Sequence, residues 1–130
     1  MSVYRYFASL LDLTDERQRS LTGPAFTLVP HEPDPSQRFV AFFHLTQSRP
    51  AGEAFVEAAV ETSLDGQRWV AVAVGAEVVG DGVVEDLVEV PILGPRVRAV
   101  YRGHAGGQDT TASVCVQLAS DAPFRLVEVP

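Results

Sequence analysis

Residues 53–63 read EAFVEAAVETS, residues 64–67 read LDGQ and residues 68–74 read RWVAVAV. In the first stretch Val56, Ala58, Val60 and Thr62 fall on one side of an extended chain, with Glu57 and Glu61 on the other. This two-residue period is that of a half-buried strand. Asp65-Gly66 tolerates positive φ, so the stretch predicts a tight hairpin turn with Arg68–Val74 running back beside Glu53–Ser63. A strand pair at the centre of the chain sets the class, and valine, the most frequent side chain, agrees with it. A β-branched residue loses χ1 freedom in a helix but packs well on a pleated sheet.

Further extended segments flank this hairpin. Phe26–Val29 is a short strand ended by Pro30-His31-Glu32-Pro33-Asp34-Pro35, whose three prolines remove backbone donors and hold the chain near polyproline II geometry. Arg38–Gln47 follows as an aromatic-rich strand. Phe39, Ala41, Phe43 and Leu45 make its apolar face, while Val40, Phe42 and His44 leave the other face partly apolar. An inner strand, or one covered by a neighbour, is expected.

Glu77–Val79 and Val83–Val90 around Gly80-Asp81-Gly82 predict a second hairpin or a glycine bulge. Arg96–Arg102, Thr110–Ala119 and Phe124–Val129 complete the strands. Val97, Ala99 and Tyr101 face inward on the first of these, and Ala112, Val114, Val116 and Leu118 on the second.

Residues 1–22 read two ways. Aromatics in Val3–Leu13 favour a strand or extended arm, whereas Tyr6, Leu10 and Leu13 would share a helix face. Thr14–Ser20 is either one short helical turn capped by Thr14 or a loop. Residues 23–130 form a single β-sandwich domain. About eight strands with no long crossover helix predict an all-β fold: an antiparallel two-sheet sandwich with jelly-roll-like or Greek-key connections.

Composition narrows the function classes. The chain has 130 residues, 46% of them hydrophobic, with 17 acidic and 10 basic side chains and a formal charge of −7. An acidic chain lacks the clustered positive charge that nucleic acid or anionic lipid demands, so neither is an expected partner. Cys115 stands alone and supplies neither a disulfide nor a four-thiolate zinc site. It reads as a small buried hydrophobe. Arg5, Asp12, Asp15 and Glu16 interrupt the apolar run that a signal peptide would need.

No catalytic residues, cofactor or metal ligands are read from the sequence. His31, Glu32 and Asp34 splay along an extended path. His44 and His104 have no serine elbow or cysteine partner. Asp81, Glu85 and Asp86 do not match a calcium loop. Trp69, Phe39, Phe42, Phe43, Tyr101 and Phe124 are read as core before they are read as a sugar platform.

Three pieces then carry a resemblance. VETSLDGQRWV at 60–70, LGPRVRAVY at 93–101 and the strand Ala112–Leu118 together resemble small β-sandwich structural proteins of tailed bacteriophages and phage-like particles. The likeness spans roughly residues 53–119, with Ser63, Asp65, Gly66 and Trp69 as its hairpin motif.

The resemblance implies a non-enzymatic virion component, most concretely a capsid decoration or stabilising protein docked on a shell lattice in many copies. It implies the major shell protein or neighbouring copies as partners, a homo-oligomeric state, and residence in a particle made in the bacterial cytoplasm. The extended segments supply the candidate contacts: Tyr4, Tyr6, Phe7 and Leu10 in the first, and Pro30, His31, Pro33 and Pro35 in the second. A carbohydrate-binding or adhesion module and a tail or connector adaptor are the alternatives.

Overall fold

The computed structural model describes residues 4–17, 20–48, 54–104 and 110–130, and all of its regular elements are strands. In chain order these are β1 (Tyr6–Glu16), β2 (Ser20–Thr22), β3 (Phe26–Pro30), β4 (Phe39–Ser48), β5 (Phe55–Ser63) and β6 (Val70–Val74). They are followed by β7 (Val78–Val79), β8 (Gly82–Val90), β9 (Arg96–His104), β10 (Thr111–Ser120) and β11 (Phe124–Glu128). Every pairing is antiparallel.

One sheet has the order β1-β10-β4-β8 and the other β11-β3-β9-β5-β6, with β2 added on β9 and β7 on β5. The pairs β1/β10, β3/β9, β4/β8 and β5/β6 are successive rungs of one long hairpin that turns at the β5–β6 loop. Rolling that hairpin brings β10 beside β4 and β9 beside β5, which is the jelly-roll arrangement. Eight strands therefore make the roll. The other three are short additions, and strands of two or three residues such as β2 and β7 carry no period to read.

The core lies between the sheets. Strict alternation on β10 turns Ala112, Val114, Val116 and Leu118 inward, opposite Val56, Ala58 and Val60 of β5 and Val97, Ala99 and Tyr101 of β9. Each large apolar side chain buried this way contributes roughly 1.5–3 kcal/mol. β4 is an inner strand, as its two-sided pattern predicts, with Phe43 and Leu45 fully buried.

Three local expectations are corrected. Thr14–Glu16 form neither a helical turn nor a loop: β1 runs on to Glu16, which pairs with Ala112 across a second irregularity where Asp15 takes φ 51°. The Asp15 amide donates to Ser113 Oγ at 3.2 Å, so pairing with β10 continues and leaves no free turn to wind. The turn between β5 and β6 is also wider than a tight hairpin, because Arg68 and Trp69 stay in the loop and pairing begins at Val70 opposite Thr62. Finally, Glu77–Val79 and Val83–Val90 do not form a hairpin. β7 pairs with β5 and β8 with β4, so Gly80, at φ 74°, helps carry the chain from one sheet to the other. Gln47 Nε2 holds that crossing by donating to Gly80 O at 2.8 Å.

Asp65 organises the β5–β6 loop. Its Oδ1 accepts the Gln67 and Arg68 amides at 2.8 and 2.9 Å and the Ser63 hydroxyl at 3.1 Å, while the Gly66 amide donates to Ser63 Oγ at 2.9 Å. The amides of Arg68 and then Gln67 hold the Asp65 carboxyl below its ordinary value of 3.8. A depressed folded pKa stabilises the protein above the unfolded pKa and ceases to do so as pH falls through the folded value. Asp65→Ala is therefore expected to lower Tm at pH 7, with the gap to the parent closing as pH falls below 3.8. Melting curves on a pH series check this, and a gap independent of pH would refute the role of the charge.

Candidate functional site

The roll leaves two outer faces, and they differ in chemistry. On the four-stranded sheet the register lines up side chains that point away from the core. One row is Phe7, Ala119, Val40 and Glu89, and the next is Ser9, Gln117, Phe42 and Leu87. A third row is Asp12, Cys115, His44 and Glu85, while Ser113, Thr46 and Val83 follow. Phe7 is 70% exposed and Val83 and Leu87 are each 60% exposed. Val40 is buried although it lies outside the core cluster. Large apolar side chains exposed on paired strands form the kind of patch that a partner covers.

The third row places a thiol, an imidazole and two carboxylates in register. His44 Nδ1 lies 3.3 Å from Glu85 Oε1. Cys115 is half-exposed here and is not the buried hydrophobe its strand predicts, because it points outward between inward-facing Val114 and Val116. The sequence shows no Cys–His pair; the sheet makes Cys115 and His44 cross-strand neighbours. Nothing local in the sequence could have joined positions 71 residues apart. Burial, and then the Asp12 charge, push the thiol pKa above its ordinary value of 9.0. A protonated thiol is a poor nucleophile and a poor metal ligand. Among the described residues no group of three or more histidine, cysteine, aspartate or glutamate side chains is placed to hold a metal ion.

The outer face of the seven-stranded sheet carries a groove of about 560 Å³. It is lined by the apolar Ala59, Ala71, Val74 and Val100 and by two cross-strand ion pairs, Arg98–Glu61 and Arg102–Glu57. Arg98 Nε donates to Glu61 Oε1 at 2.8 Å, and the Arg98 guanidinium carbon sits 4.1 Å from the Trp69 ring centroid. Trp69 thus braces an arginine.

The aromatics singled out in the sequence do not gather into a platform. Phe43 and Tyr101 are buried, Phe39 meets Phe124 edge-on at 5.4 Å, and Phe42 lies on the opposite outer face from Trp69.

The candidate contacts divide. Tyr6 and Phe7 are exposed at the start of β1 and Tyr4 is half-buried beside them, but Leu10 is 2% exposed and belongs to the core. The bulge between Ser9 and Leu11 turns both Leu10 and Leu11 away from solvent, so Leu10 is no partner contact. Pro30, His31, Pro33 and Pro35 are exposed.

Those two segments share one end of the sandwich. Tyr6 pairs with Ser120, whose hydroxyl donates to Arg38 O, and Pro30 pairs with Phe124. Asp34 Oδ1 accepts the Ser36 hydroxyl at 2.7 Å and the Ser36 amide at 2.9 Å, and these bonds lower its pKa. Ser63, Asp65, Gly66 and Trp69 lie at the same end, since β8 ends at Val90 opposite Phe39 and a short loop leads to Arg96 opposite Ser63.

Asp81, Glu85 and Asp86 point apart: Glu85 faces His44, whereas Asp86 Oδ2 accepts the Ala76 amide at 3.0 Å. His104 ends β9, and the glycine tip at 105–109 lies outside the described residues.

No family model matches the chain, and neither a curated protein nor a solved structure shows a significant match.

Proposed function

We propose that this jelly roll is a non-enzymatic structural component that works by protein–protein contact. In its most concrete form, drawn from the sequence resemblance, it is a decoration or stabilising protein docked in many copies on the shell of a phage or phage-like particle. Fold alone does not carry this reading. The observation that carries it is the outer face of the four-stranded sheet, where Phe7, Val83 and Leu87 stand exposed on a rigid support. Exposed apolar side chains on paired strands cost little entropy to immobilise, so they make efficient anchors. Repetition on a lattice then multiplies a modest affinity per copy.

The test is mass spectrometry of gradient-purified particles together with co-sedimentation of a Phe7→Asp/Leu87→Asp variant. The native chain is expected at a simple ratio to the shell protein, and the variant is expected to lose co-sedimentation at least about tenfold while keeping its Tm. Six or twelve copies per particle would move the assignment to a connector. Absence from every large particle, or unchanged co-sedimentation of the variant, would overturn the reading.

A further inference from the structure

The two outer faces of the sandwich are complementary to each other. Within the paired register of the four-stranded sheet, Asp12, Glu85 and Glu89 project outward and no arginine does. On the seven-stranded sheet Arg96, Arg98, Arg102 and Arg125 project outward against Glu57 and Glu61. The first face raises exposed Phe7, Val83 and Leu87. The second carries a groove of about 560 Å³ lined by apolar side chains and by Arg98 and Arg102 with their partners Glu61 and Glu57. One face carries exposed apolar side chains on its two edge strands, β1 and β8, among carboxylates, and the other an apolar trough beside the Arg98–Glu61 and Arg102–Glu57 pairs, on a sheet whose outward arginines outnumber its outward carboxylates.

We propose that the occupant of the four-stranded sheet's outer face is a second copy of this chain, whose groove-bearing face, around Arg98 and Arg102, covers the exposed Phe7 and Leu87. Pairing the face with itself would set Asp12, Glu85 and Glu89 against their own copies, and like charges brought together at an interface are strongly disfavoured. Pairing it with the groove face sets carboxylates against arginines. Arg102 is suited to this role because it is 76% exposed despite its bond to Glu57, so it keeps donors free for a carboxylate on the next copy.

Because donor and receptor surfaces are different parts of the same chain, the contact is heterologous. It closes into a ring if the rotation permits and otherwise continues as a filament. The segment from Pro30 to Pro35 lies at the end of the sandwich, outside both faces, so it meets the shell while the four-stranded face joins neighbouring copies, and Phe7→Asp/Leu87→Asp lowers co-sedimentation by removing the avidity of the joined array. This inference rests on the reading of the four-stranded face as a protein-interaction surface.

Sedimentation velocity of the purified full chain tests it, at concentrations from about 1 to 500 μM and in 0.05 and 0.5 M NaCl. The native chain is expected to associate beyond the dimer or to close at a fixed larger mass, with association weakened several-fold at high salt as screening acts on the exposed charges.

A variant of the four-stranded face, Phe7→Asp/Leu87→Asp, and a groove variant, Val74→Asp/Arg102→Glu, are each expected to stay monomeric. Mixed together they are expected to form a one-to-one dimer and nothing larger, since one intact four-stranded face meets one intact groove face. Arg102→Lys, which keeps the charge, is expected to associate, and matching melting curves establish that each variant is folded.

A groove variant that associates like the native chain would overturn the inference, and so would folded variants that fail to pair. A chain that is monomeric alone yet co-sediments with particles through Phe7 and Leu87 would overturn it and leave the structural role standing. A chain that self-associates as described but occurs in no large particle would do the reverse.

Discussion

Phe43→Ala is expected to cost about 3–5 kcal/mol and to lower Tm by on the order of 10–20 °C. The ring sits on β4, an inner strand of the four-stranded sheet, is 0% exposed, and faces the opposite sheet. Its packing partner is an absence. A Cβ placed on Gly75 would lie 2.6 Å from Phe43 Cγ and 2.9 Å from both Cδ atoms, so the ring occupies the space that any side chain at position 75 would need.

Gly75 is itself fixed, because its amide donates to Ala58 O at 3.0 Å and ties the segment after β6 to β5. Removing the ring therefore opens a cavity in the core, one side of which is the tethered backbone at Gly75. Gly75→Ala alone is expected to cost about 1–3 kcal/mol by overpacking. Combined with Phe43→Leu it is expected to cost less than the sum of the single changes, since the smaller side chain yields the disputed volume. Urea midpoints of the four proteins would measure this coupling. A cost for Phe43→Ala below about 1 kcal/mol would show that the two sheets do not depend on the ring.

Gly103→Ala is expected to cost about 3 kcal/mol or more, for a different reason. Position 103 pairs with Val56 in the β5–β9 ladder, and a Cβ there would stand 2.2 Å from Phe55 O and 3.1 Å from Val56 Cα. Neither atom belongs to a movable side chain. The strands would have to part at that end, breaking ladder hydrogen bonds and lifting Tyr101 and Val56 out of register in the core. Gly103 matters for close approach and not for a left-handed backbone, so an αL-tolerant replacement such as asparagine is expected to be no better than alanine. Thermal melts compare the variants, and amide exchange across β5 and β9 locates the damage. Native-like protection of the Val56 and Tyr101 amides would refute this account.

The strands that were legible in the sequence are those whose side chains alternate without interruption. Val56, Ala58, Val60 and Thr62 on β5, and Ala112 to Leu118 on β10, keep a two-residue period because each strand has one face in the core and no bulge to shift its phase. β1 was ambiguous for an identifiable reason. Its bulge between Ser9 and Leu11 slips the phase, so Tyr6, Leu10 and Leu13 imitate helical spacing in a strand. The Gly80–Gly82 turn misled for another reason: glycine permits a reversal but does not say which strand receives the chain afterwards.

Of the candidate site, the sequence flagged Phe7 by its place in an extended N-terminal segment and Phe42 by the two-sided pattern of its strand. It could not flag Leu87, Cys115 beside His44, or the groove. Leu87 lies in β8, which meets β4 across about forty residues, and Cys115 reaches His44 across a still longer span.

The sequence by itself determined that this is a β-protein, where its regular strands lie and which side chains of each face the core, because those follow from local alternation and turn chemistry. Only the tertiary structure decided which strands are neighbours, and with that which outward residues share a face. Rolling the hairpin juxtaposes segments whose association no local side-chain preference encodes. It leaves exposed apolar and acidic side chains on one outer face and a groove beside two arginine–glutamate pairs on the other.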